Sequence, residues 1–475
     1  GETFLLAVFA CVLSLCLVEW LLSWLNPFLQ KQLTLSFGAT PALPVFLLCL
    51  VFFVTVLSGF YPSLILSRFS PAEVLKSKLS VRGHSGVFLR KVLVVFQFLI
   101  AQALIIGTLV MNDQMEYFRD KPLGFDKEAV ISVEIPENKE ALMNALRTRL
   151  EANADILDIS FCVGPPVTEN EVFTGFGLPE KPDERHRVSM KLADPHYLNA
   201  YGLKMKAGRW FTETDAKAIQ LNPDLTLKPN NGSYTYVINE SAMKKLGFSD
   251  PDEVIGKNIT TGIMDINGEV IGVVENFHTS SLHEEIPPVV LMNFPYFYYY
   301  AGIKMNPENI SRTMKFVEKT WTEIYPDNYF RYEFFDDKLA KLYRKEARTL
   351  TLFKVFSAVS VFIGCLGLYG LISFMANQRI REVGIRKVLG ASTHGIVILF
   401  SGEFVKLILI AFAIASPLVW YAMNKWLQTF VYHTNIHWIV FIIGIVFTLV
   451  IALLTIGYRS WSAAVANPAN TLRNE

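Results

Sequence analysis

The sequence of 475 residues has little charge and little cysteine, and neither sign of charge dominates. Charged residues make up 18% of it, against about 25% in a soluble domain, and apolar residues make up 52%. Lys and Arg number 44 and Asp and Glu 43, which gives no general attraction to nucleic acid. Five cysteines in a chain of this length exclude a disulfide framework. The composition excludes a disordered chain, a fibrous chain and an ordinary cytosolic enzyme.

Motifs of nucleotide hydrolysis and nucleophilic catalysis are also missing. The stretch nearest to a phosphate-binding loop, Gly256-Lys257-Asn258, lacks the first glycine and the hydroxyl. No Gly-x-Ser-x-Gly elbow occurs, and the lone Cys162 in an apolar stretch is typical of a small core residue rather than a nucleophile. We therefore expect no catalytic residues, no cofactor and no ATP hydrolysis by this chain itself.

Two histidines are the only candidates for a metal site. His278 and His283 stand near Glu275, Glu284 and Glu285, which could form half of a zinc site. Their spacing matches no helical His-Glu-x-x-His pattern, and no third cluster of ligands is visible. We interpret the stretch as a polar surface loop and expect no metal.

Long apolar stretches are what the sequence has in quantity. About 20 consecutive apolar residues can cross a bilayer as a helix, and six segments qualify. They run from about Phe4 to Trp24, Leu43 to Leu66, Val92 to Met111, Leu352 to Ala376, Ile396 to Met423 and Ile436 to Ile456.

The loops between these segments alternate in charge. Loops 67–91 and 377–394 are rich in Lys and Arg, whereas loops 25–42 and 424–435 have one lysine each. Because basic loops stay in the cytoplasm, both ends of the chain are expected inside and residues 112–351 outside.

The outside segment reads as an α/β domain of two lobes, with its first and last pieces in one lobe. Each piece is a strand, a helix and a strand: Ala129–Ile135, Glu140–Ala152 and Ile156–Val163, then Tyr299–Lys304, Asn309–Ile324 and Arg331–Phe335. A β-rich region with turn signals at Asn230-Asn231-Gly232, Asp265-Ile266-Asn267-Gly268 and Pro287-Pro288 lies between them. Helices Asp113–Arg119 and Asp336–Arg348 are expected to continue the adjacent spans.

An aromatic run from Phe294 to Tyr300 is the most unusual feature of this domain. Phe294, Tyr296, Phe297 and Tyr298 could form a binding surface for a substrate or partner, or a belt near the membrane. The alternative is a buried strand with one aromatic face, although six aromatics in seven residues exceed what one face can bury. Both interpretations stay open.

The basic stretch from Asn377 to Ser392 carries the strongest signal. In a helix, Arg379, Glu382 and Arg386 share one face, and Gly390 would end the helix before the next span. Such a helix could lie along the membrane surface and dock into a partner. An ordinary positively charged loop remains the alternative from physics alone.

This stretch resembles the signature of the FtsX-like/MacB-like permease family of type VII ABC transporters. The matching residues are Arg379, Glu382, Val383, Gly384, Ile385, Arg386, Lys387, Gly390 and Ala391. Residues 90–98 and Leu123-Gly124-Phe125-Asp126 resemble the start of such a module in large permeases of Bacteroidota type. The order of one span, a large outer domain and three spans also agrees with the family.

The resemblance implies an α-helical membrane protein with six transmembrane helices and one extracytoplasmic α+β domain, a MacB-like periplasmic core domain, in a bacterial inner membrane. Residues 1–80 would be the last two transmembrane helices and cytoplasmic tail of an incomplete first FtsX-like module. The remaining divisions are a transmembrane helix at 91–111, the periplasmic core domain at 112–351, and an FtsX-like domain at 352–475 with the coupling helix at 379–389.

The implied partner is a separate cytoplasmic ABC ATPase. Its contacts would be Arg379, Arg381, Glu382, Val383, Gly384, Ile385, Arg386, Lys387 and Gly390. Membrane lipid, a second FtsX-like module in the same full-length chain or in a dimer mate, and optionally a periplasmic adaptor are further partners. Nucleic acid is not one of them.

The end of the chain repeats features of its beginning. Tyr61, Pro71, Ala72 and Leu75 recur 397 positions later as Tyr458, Pro468, Ala469 and Leu472, and Gly1-Glu2 recurs as Gly402-Glu403. A genuine duplication would place roughly 300 further residues before Gly1 in the full-length protein. Chance similarity in apolar sequence is the weaker interpretation.

Three functions are compared on this basis. The first is a mechanotransmission permease for efflux or for lipoprotein or peptide handling, and the second is a transmembrane module that senses peptide antibiotics or regulates the cell wall without transport. A secondary transporter is disfavoured because no chain of acids lies at mid-membrane. Glu403 and Lys406, spaced i, i+3, are expected to form an interfacial pair instead.

Overall fold

The computed structural model describes residues 2–29, 32–35, 42–67, 84–168, 171–217, 234–262, 266–378 and 393–465. They divide into two units. The helical unit comprises residues 1–104, 351–415 and 444–475, and the sheet domain comprises residues 105–350 and 416–443.

Six long helices and several short ones make up the helical content of these residues. In chain order the helices are α1 (Glu2–Leu29), α2 (Ala42–Ser67), α3 (His84–Asp120), α4 (Glu140–Glu151), α5 (Tyr197–Ala200), α6 (Glu213–Lys217), α7 (Glu240–Lys245), α8 (Pro251–Val254), α9 (Ile310–Ile324), α10 (Phe335–Leu342), α11 (Arg344–Gln378), α12 (Thr393–Leu427) and α13 (Trp438–Val465).

The strands all lie in the sheet domain. In chain order they are β1 (Val130–Glu134), β2 (Ile156–Cys162), β3 (Val172–Gly177), β4 (His186–Leu192), β5 (Met205–Gly208), β6 (Tyr234–Asn239), β7 (Asn258–Thr261), β8 (Ile266–Val274), β9 (Val289–Met292), β10 (Tyr300–Met305) and β11 (Tyr332–Phe334).

Five helices of the described residues are long and apolar enough to cross a membrane. They are Glu2–Pro27, Phe88–Asp120, Arg344–Met375, Ser401–Leu427 and Trp438–Gly457. The second expected span falls on α2, where Ala42–Val56 forms a shorter apolar stretch. Several spans are thus present, and the total of six remains a prediction.

Small and polar residues bring the helices of the helical unit close together. At Gly367 of α11 the side-chain amide of Gln97 of α3 lies where a Cβ would be, so a larger residue would require Gln97 to move. Glu403 of α12 forms an ion pair with Lys91 of α3 at 3.1 Å. The sequence suggested Lys406 as its partner, because helical spacing reveals neighbours on one helix and not those on another.

Two sheets organise the sheet domain. The first has four antiparallel strands in the order β11-β1-β10-β2, so the first and last pieces of the domain share one sheet, as the sequence indicated. The second has seven strands in the order β5-β8-β6-β9-β4-β3-β7, with parallel pairs β4–β9 and β6–β8.

Buried apolar side chains connect the two sheets. Helix α9 turns Thr313, Val317, Thr320 and Trp321 inward, at the spacing of one helix face. Val317 and Trp321 pack in a cluster that includes Ile131 of the first sheet and Tyr236 of the second, both fully buried. Because one core serves both sheets, the division into two lobes remains a prediction.

Two expected boundaries differ in the structure. The helix expected over Asp336–Arg348 is divided, because α10 ends at Leu342 and α11 begins at Arg344. The turn expected at 265–268 is wrong for Ile266 to Gly268, which pair with β7 as the start of β8. The turn signal at 230–232 lies outside the described residues.

Candidate functional site

The residues predicted to bind an ATPase, from Arg379 to Gly390, lie outside the described part of the chain. The expected Pro-Ala repeat at residues 71–76 and 468–473 also lies outside it. The candidate site that the structure does describe is in the sheet domain.

The aromatic run forms a turn and not a continuous strand. Residues Pro295–Phe297 make one turn of 3-10 helix, and β10 begins only at Tyr300. Phe294 and Tyr298 are buried, whereas Tyr296 is 42% exposed and Phe297 is half-buried. The turn explains this division, because it places Phe294 and Tyr298 on the core side. The assignment of these four residues to a substrate or partner surface remains a prediction.

Cys162 lies fully buried in β2, as expected of a core residue. Burial raises the pKa of its thiol to about 12, and the negative charge of Asp194 adds to the shift. A thiol with this pKa carries almost no thiolate at neutral pH and is a poor nucleophile.

The histidine segment, from Glu275 to Glu285, is only partly a surface loop. His278 and Thr279 are buried, whereas Glu275, Glu284 and Glu285 are exposed. His283 contacts Glu346 at 3.2 Å instead of joining His278 at a metal. Among the residues that the structure describes, no three metal-ligating side chains come together.

His278 and His283 belong instead to an aromatic cluster, which we call the junction. Its members come from the end of α3 and the residue after it, the histidine segment, the start of α11 and the residue before it, the end of α12 and the chain that follows α12. They are Gln114, Phe118, Lys121, His278, Leu282, His283, Tyr343, Glu346, Trp426, Phe430, Tyr432 and Thr434.

Phe430 is at the centre of the aromatic contacts of the junction. Its ring lies 5.3 Å from Phe118 and 4.3 Å from His283, and Trp426 meets it edge-on at 4.9 Å. Phe118 also stacks on Tyr343 at 4.7 Å. Such ring pairs stabilise by about 0.5–1.5 kcal/mol each beyond the area they bury.

Tyr432 adds polar contacts to the same cluster. The ammonium group of Lys121 lies 3.7 Å from the centre of its ring, and His278 meets the ring edge-on at 5.0 Å. The backbone N–H of Tyr432 donates to the carbonyl oxygen of Leu282, whose own N–H donates to the hydroxyl of Tyr343. Burial lowers the pKa of His278 to about 4, and the charge of Lys121 adds to the shift.

Gln114 fastens the chain after α12 to α3. It is fully buried, and its side-chain amide donates to the carbonyl oxygen of Tyr432 at 3.1 Å. Its oxygen accepts from the backbone N–H of Thr434 at 2.8 Å. A buried amide with both groups paired in this way fixes one register between two distant segments.

Gly124 fits the histidine segment against the end of α3. Its φ of +85° is in the region that favours glycine, and a Cβ would lie 2.6 Å from the carbonyl oxygen of Asn276. The N–H of His278 donates to the carbonyl oxygen of Leu123 beside it. The Leu-Gly-Phe-Asp motif thus allows the backbone after α3 to contact the backbone of the histidine segment.

Sequence reasoning missed the junction as a unit. Trp426, Phe430 and Tyr432 in the short loop before the last span were a signal that could have identified it. The side chains of the junction pair with one another, and no group of three metal-ligating side chains is found among the described residues.

Two family models match the chain. The MacB-like periplasmic core domain matches residues 99–319, and the FtsX-like permease C-terminal domain matches residues 354–468. The chain belongs to the FtsX-like and MacB-like ABC transporter permeases. Its membership accounts for the several spans and the single large domain between them.

A curated relative and two solved structures are similar to this permease. The Bacillus subtilis protein named as the uncharacterized ABC transporter permease YknZ is 23% identical over 291 residues, 59% of this chain and 68% of that one. The periplasmic region of MacB from Actinobacillus actinomycetemcomitans is 14% identical, with a TM-score of 0.31, covering 44% of this chain and 91% of that one. The extracellular domain of YknZ from Gram-positive bacteria is 15% identical, with a TM-score of 0.30, covering 43% and 98%.

Proposed function

We propose that this permease transmits the energy of ATP hydrolysis mechanically to its periplasmic domain. A separate cytoplasmic ATPase binds the helix around residues 379–389, and its closure moves the spans. The substrate is handled on the periplasmic side, for efflux or for export of lipoproteins or peptides.

The observation that supports this proposal most is the set of elements that meet at the junction. Helix α3 runs unbroken from His84 to Asp120, its last two turns contain Gln114 and Phe118, and Lys121 follows it. An α-helix rises about 1.5 Å per residue with little compression, so a displacement at one end reaches the other. The junction joins that end to Glu346 at the start of α11 and to the chain after α12.

The charges of the loops support the orientation that this mechanism needs. The basic loops 67–91 and 377–394 would lie in the cytoplasm together with both ends of the chain. The sheet domain would then be periplasmic, and the coupling helix would face the ATPase. Dimerisation, or pairing with a second FtsX-like module of the full-length chain, would supply a second set of spans.

A module that senses peptide antibiotics without transport is the second candidate. A cavity in the sheet domain, lined by Arg147, Asn293 and Tyr296 among others, favours ligand recognition in either case. The two candidates differ in whether ATP hydrolysis moves a substrate, and both need the same coupling helix.

Co-purification from native membranes tests the proposal. The full-length protein is expected to bring down an ATPase, and Gly384→Glu is expected to lose it because a charged side chain enters the docking face. Ser80→Glu is the matched control, since it adds the same charge to the other basic loop. Recovery of the ATPase with Gly384→Glu would move the docking site elsewhere, and its absence from all three would contradict the proposal.

A further inference from the structure

Helices α1 and α2 repeat helices α12 and α13. The shift of 397 positions that places Tyr61 on Tyr458 carries both bounds of α2 to within one residue of the bounds of α13. In α1, the first acid recurs 401 positions later, and the pattern Trp24-Leu25-x-x-Phe28 recurs 402 positions later as Trp426-Leu427-x-x-Phe430. The two helix pairs are therefore equivalent along their shared length.

The half-buried face of α2 is the same face that α13 buries. In α2 its members recur every four positions and are Leu43, Leu47, Val51, Thr55 and Gly59. Their equivalents in α13 are all buried and are Val440, Gly444, Thr448, Ala452 and Ile456. Thr3 of α1 lies against Gly59, 3.6 Å from where a Cβ would be. Helix α1 thus packs on the same face of its partner but buries that face only halfway.

Helices α3 and α11 complete the burial of the second pair. One buried cluster contains Phe98 of α3, Leu368 of α11, Phe404 of α12 and Ile456 of α13. In α1, by contrast, none of residues 2–27 is buried. No helix of the described residues therefore buries α1 in the way that α3 and α11 bury α12.

The residues of α1 at the covered positions are small. In α12 these positions are fully buried and are Phe404, Ile408, Ala411 and Ala415, and their equivalents in α1 are Thr3, Ala7, Ala10 and Ser14. Ala10 and Ser14 are exposed, and the opposite side of α1 has Leu5 and Val12, which are 68% and 54% exposed. In a membrane, small residues let a second helix approach closely. The exposed small face therefore suits a helix better than lipid.

A charge supports the same assignment. Glu403 of α12 forms an ion pair with Lys91 of α3 at 3.1 Å. Its equivalent Glu2 is exposed at the start of α1. Because charged side chains of membrane-spanning helices pair with one another, the helix that covers α1 should have a cation beside Glu2.

A second copy of the described helices does not supply this partner, because its own α3 and α11 are already covered. Phe98 of α3 and Leu368 of α11 are buried in the cluster with α12 and α13. In this chain α3 and α11 precede α12, so in a duplicated chain the equivalent helices precede α1.

We propose that α1 and α2 form a docking surface for a pair of transmembrane helices of the α3 and α11 type. Ala10 and Ser14 pack against this pair, and Glu2 forms an ion pair with a lysine or arginine at the position that corresponds to Lys91. The helix pair belongs to a second FtsX-like module of the same full-length chain. That module is part of the proposed function, on which this inference rests, and the surface gives it a defined contact face and a required charge.

Oxygen accessibility of a nitroxide label on α1 tests the docking surface. The full-length permease, with its native cysteines replaced by alanine, receives the label at Ala10→Cys or, as the matched control, at Val12→Cys on the opposite side of the helix. It is measured without nucleotide, at one molecule per nanodisc. We expect the label at position 10 to be about threefold or more less accessible to oxygen than the label at position 12.

Two other results would overturn the proposal. Equal accessibility at the two positions would mean that lipid covers the small face. Protection of the label at position 10 only when each nanodisc holds two molecules would assign the face to a second copy of the chain.

The ion pair is tested in the protein labelled at Ala10→Cys. Glu2→Lys should raise the oxygen accessibility of this label by about twofold or more, because two cations repel each other. Glu19→Lys is the matched control, since Glu19 is exposed on the same helix and its equivalents in α12 are not acids. Unchanged accessibility in Glu2→Lys, or an equal rise in both variants, would contradict the ion pair. Because no ATPase is present, failure here is distinguishable from failure of the ATPase to co-purify.

Discussion

Gly124 illustrates how one residue sets the geometry of the junction. Gly124→Ala places a Cβ within 3 Å of the backbone of Asn276 and Phe277 at a positive φ. We expect it to destabilise the sheet domain by about 1–3 kcal/mol, measured as a lower thermal unfolding midpoint.

Gly164→Ala is the control for this substitution. Its Cβ would meet Thr168 at an ordinary 3.8 Å, without a positive φ. Equal shifts of the unfolding midpoint in both variants would contradict the claim that the close backbone contact at Gly124 causes the loss of stability.

His278 gives the junction a pH dependence at the scale of one side chain. Its pKa of about 4 is below the usual 6.5, so between these values the unfolded state binds more protons than the folded state. The contribution of neutral His278 to the free energy of unfolding is therefore fully present above pH 6.5. It is lost as the pH falls toward 4, and the loss is at most about 3 kcal/mol.

His278→Phe keeps a ring against Tyr432 and removes the titration. Thermal unfolding midpoints between pH 7 and pH 4 should fall less steeply in this variant than in the parent. Parallel pH profiles would contradict the assignment of the pH dependence to His278.

At the scale of elements, the amide of Gln114 joins the chain after α12 to the end of α3. Gln114→Leu leaves the carbonyl of Tyr432 and the N–H of Thr434 without this partner, at a cost of about 1–3 kcal/mol each. We expect a lower unfolding midpoint and faster proteolysis of residues 426–434, with the ATPase still co-purifying.

Gln428→Leu is the matched control, since Gln428 lies exposed on the same segment. It should leave both measurements unchanged. Loss of the ATPase in Gln114→Leu would indicate that the junction supports the docking site as well as the sheet domain.

Helices and strands whose apolar residues repeat at a regular spacing could be predicted from the sequence. Contacts between segments far apart in the sequence could not. Helix α9 and strand β10 were expected within one residue at each end, because their apolar residues repeat at the spacing of a helix face or a strand face. The bond between Gln114 and Thr434 joins positions 320 residues apart, and no periodicity records it. The turn at 295–297 likewise depends on Asn138, far away in the sequence.

At the scale of the whole molecule, composition and one motif indicated the family. Spans follow from long apolar stretches, which need no tertiary information. The Arg379–Ala391 signature pointed to the permeases to which the two family models assign the chain. The cavity beside Tyr296 could not be predicted, because α4, α6 and the aromatic turn meet only in the folded domain.

Hydrogen–deuterium exchange of the full-length permease, purified with its ATPase, tests mechanical transmission most directly. Exchange is compared between the nucleotide-free complex and the complex trapped with ATP. The account predicts altered exchange at residues 278–283 and 426–434 of the junction, reduced in size by Gln114→Leu. Altered exchange confined to the cytoplasmic loops, with an unchanged junction, would contradict it.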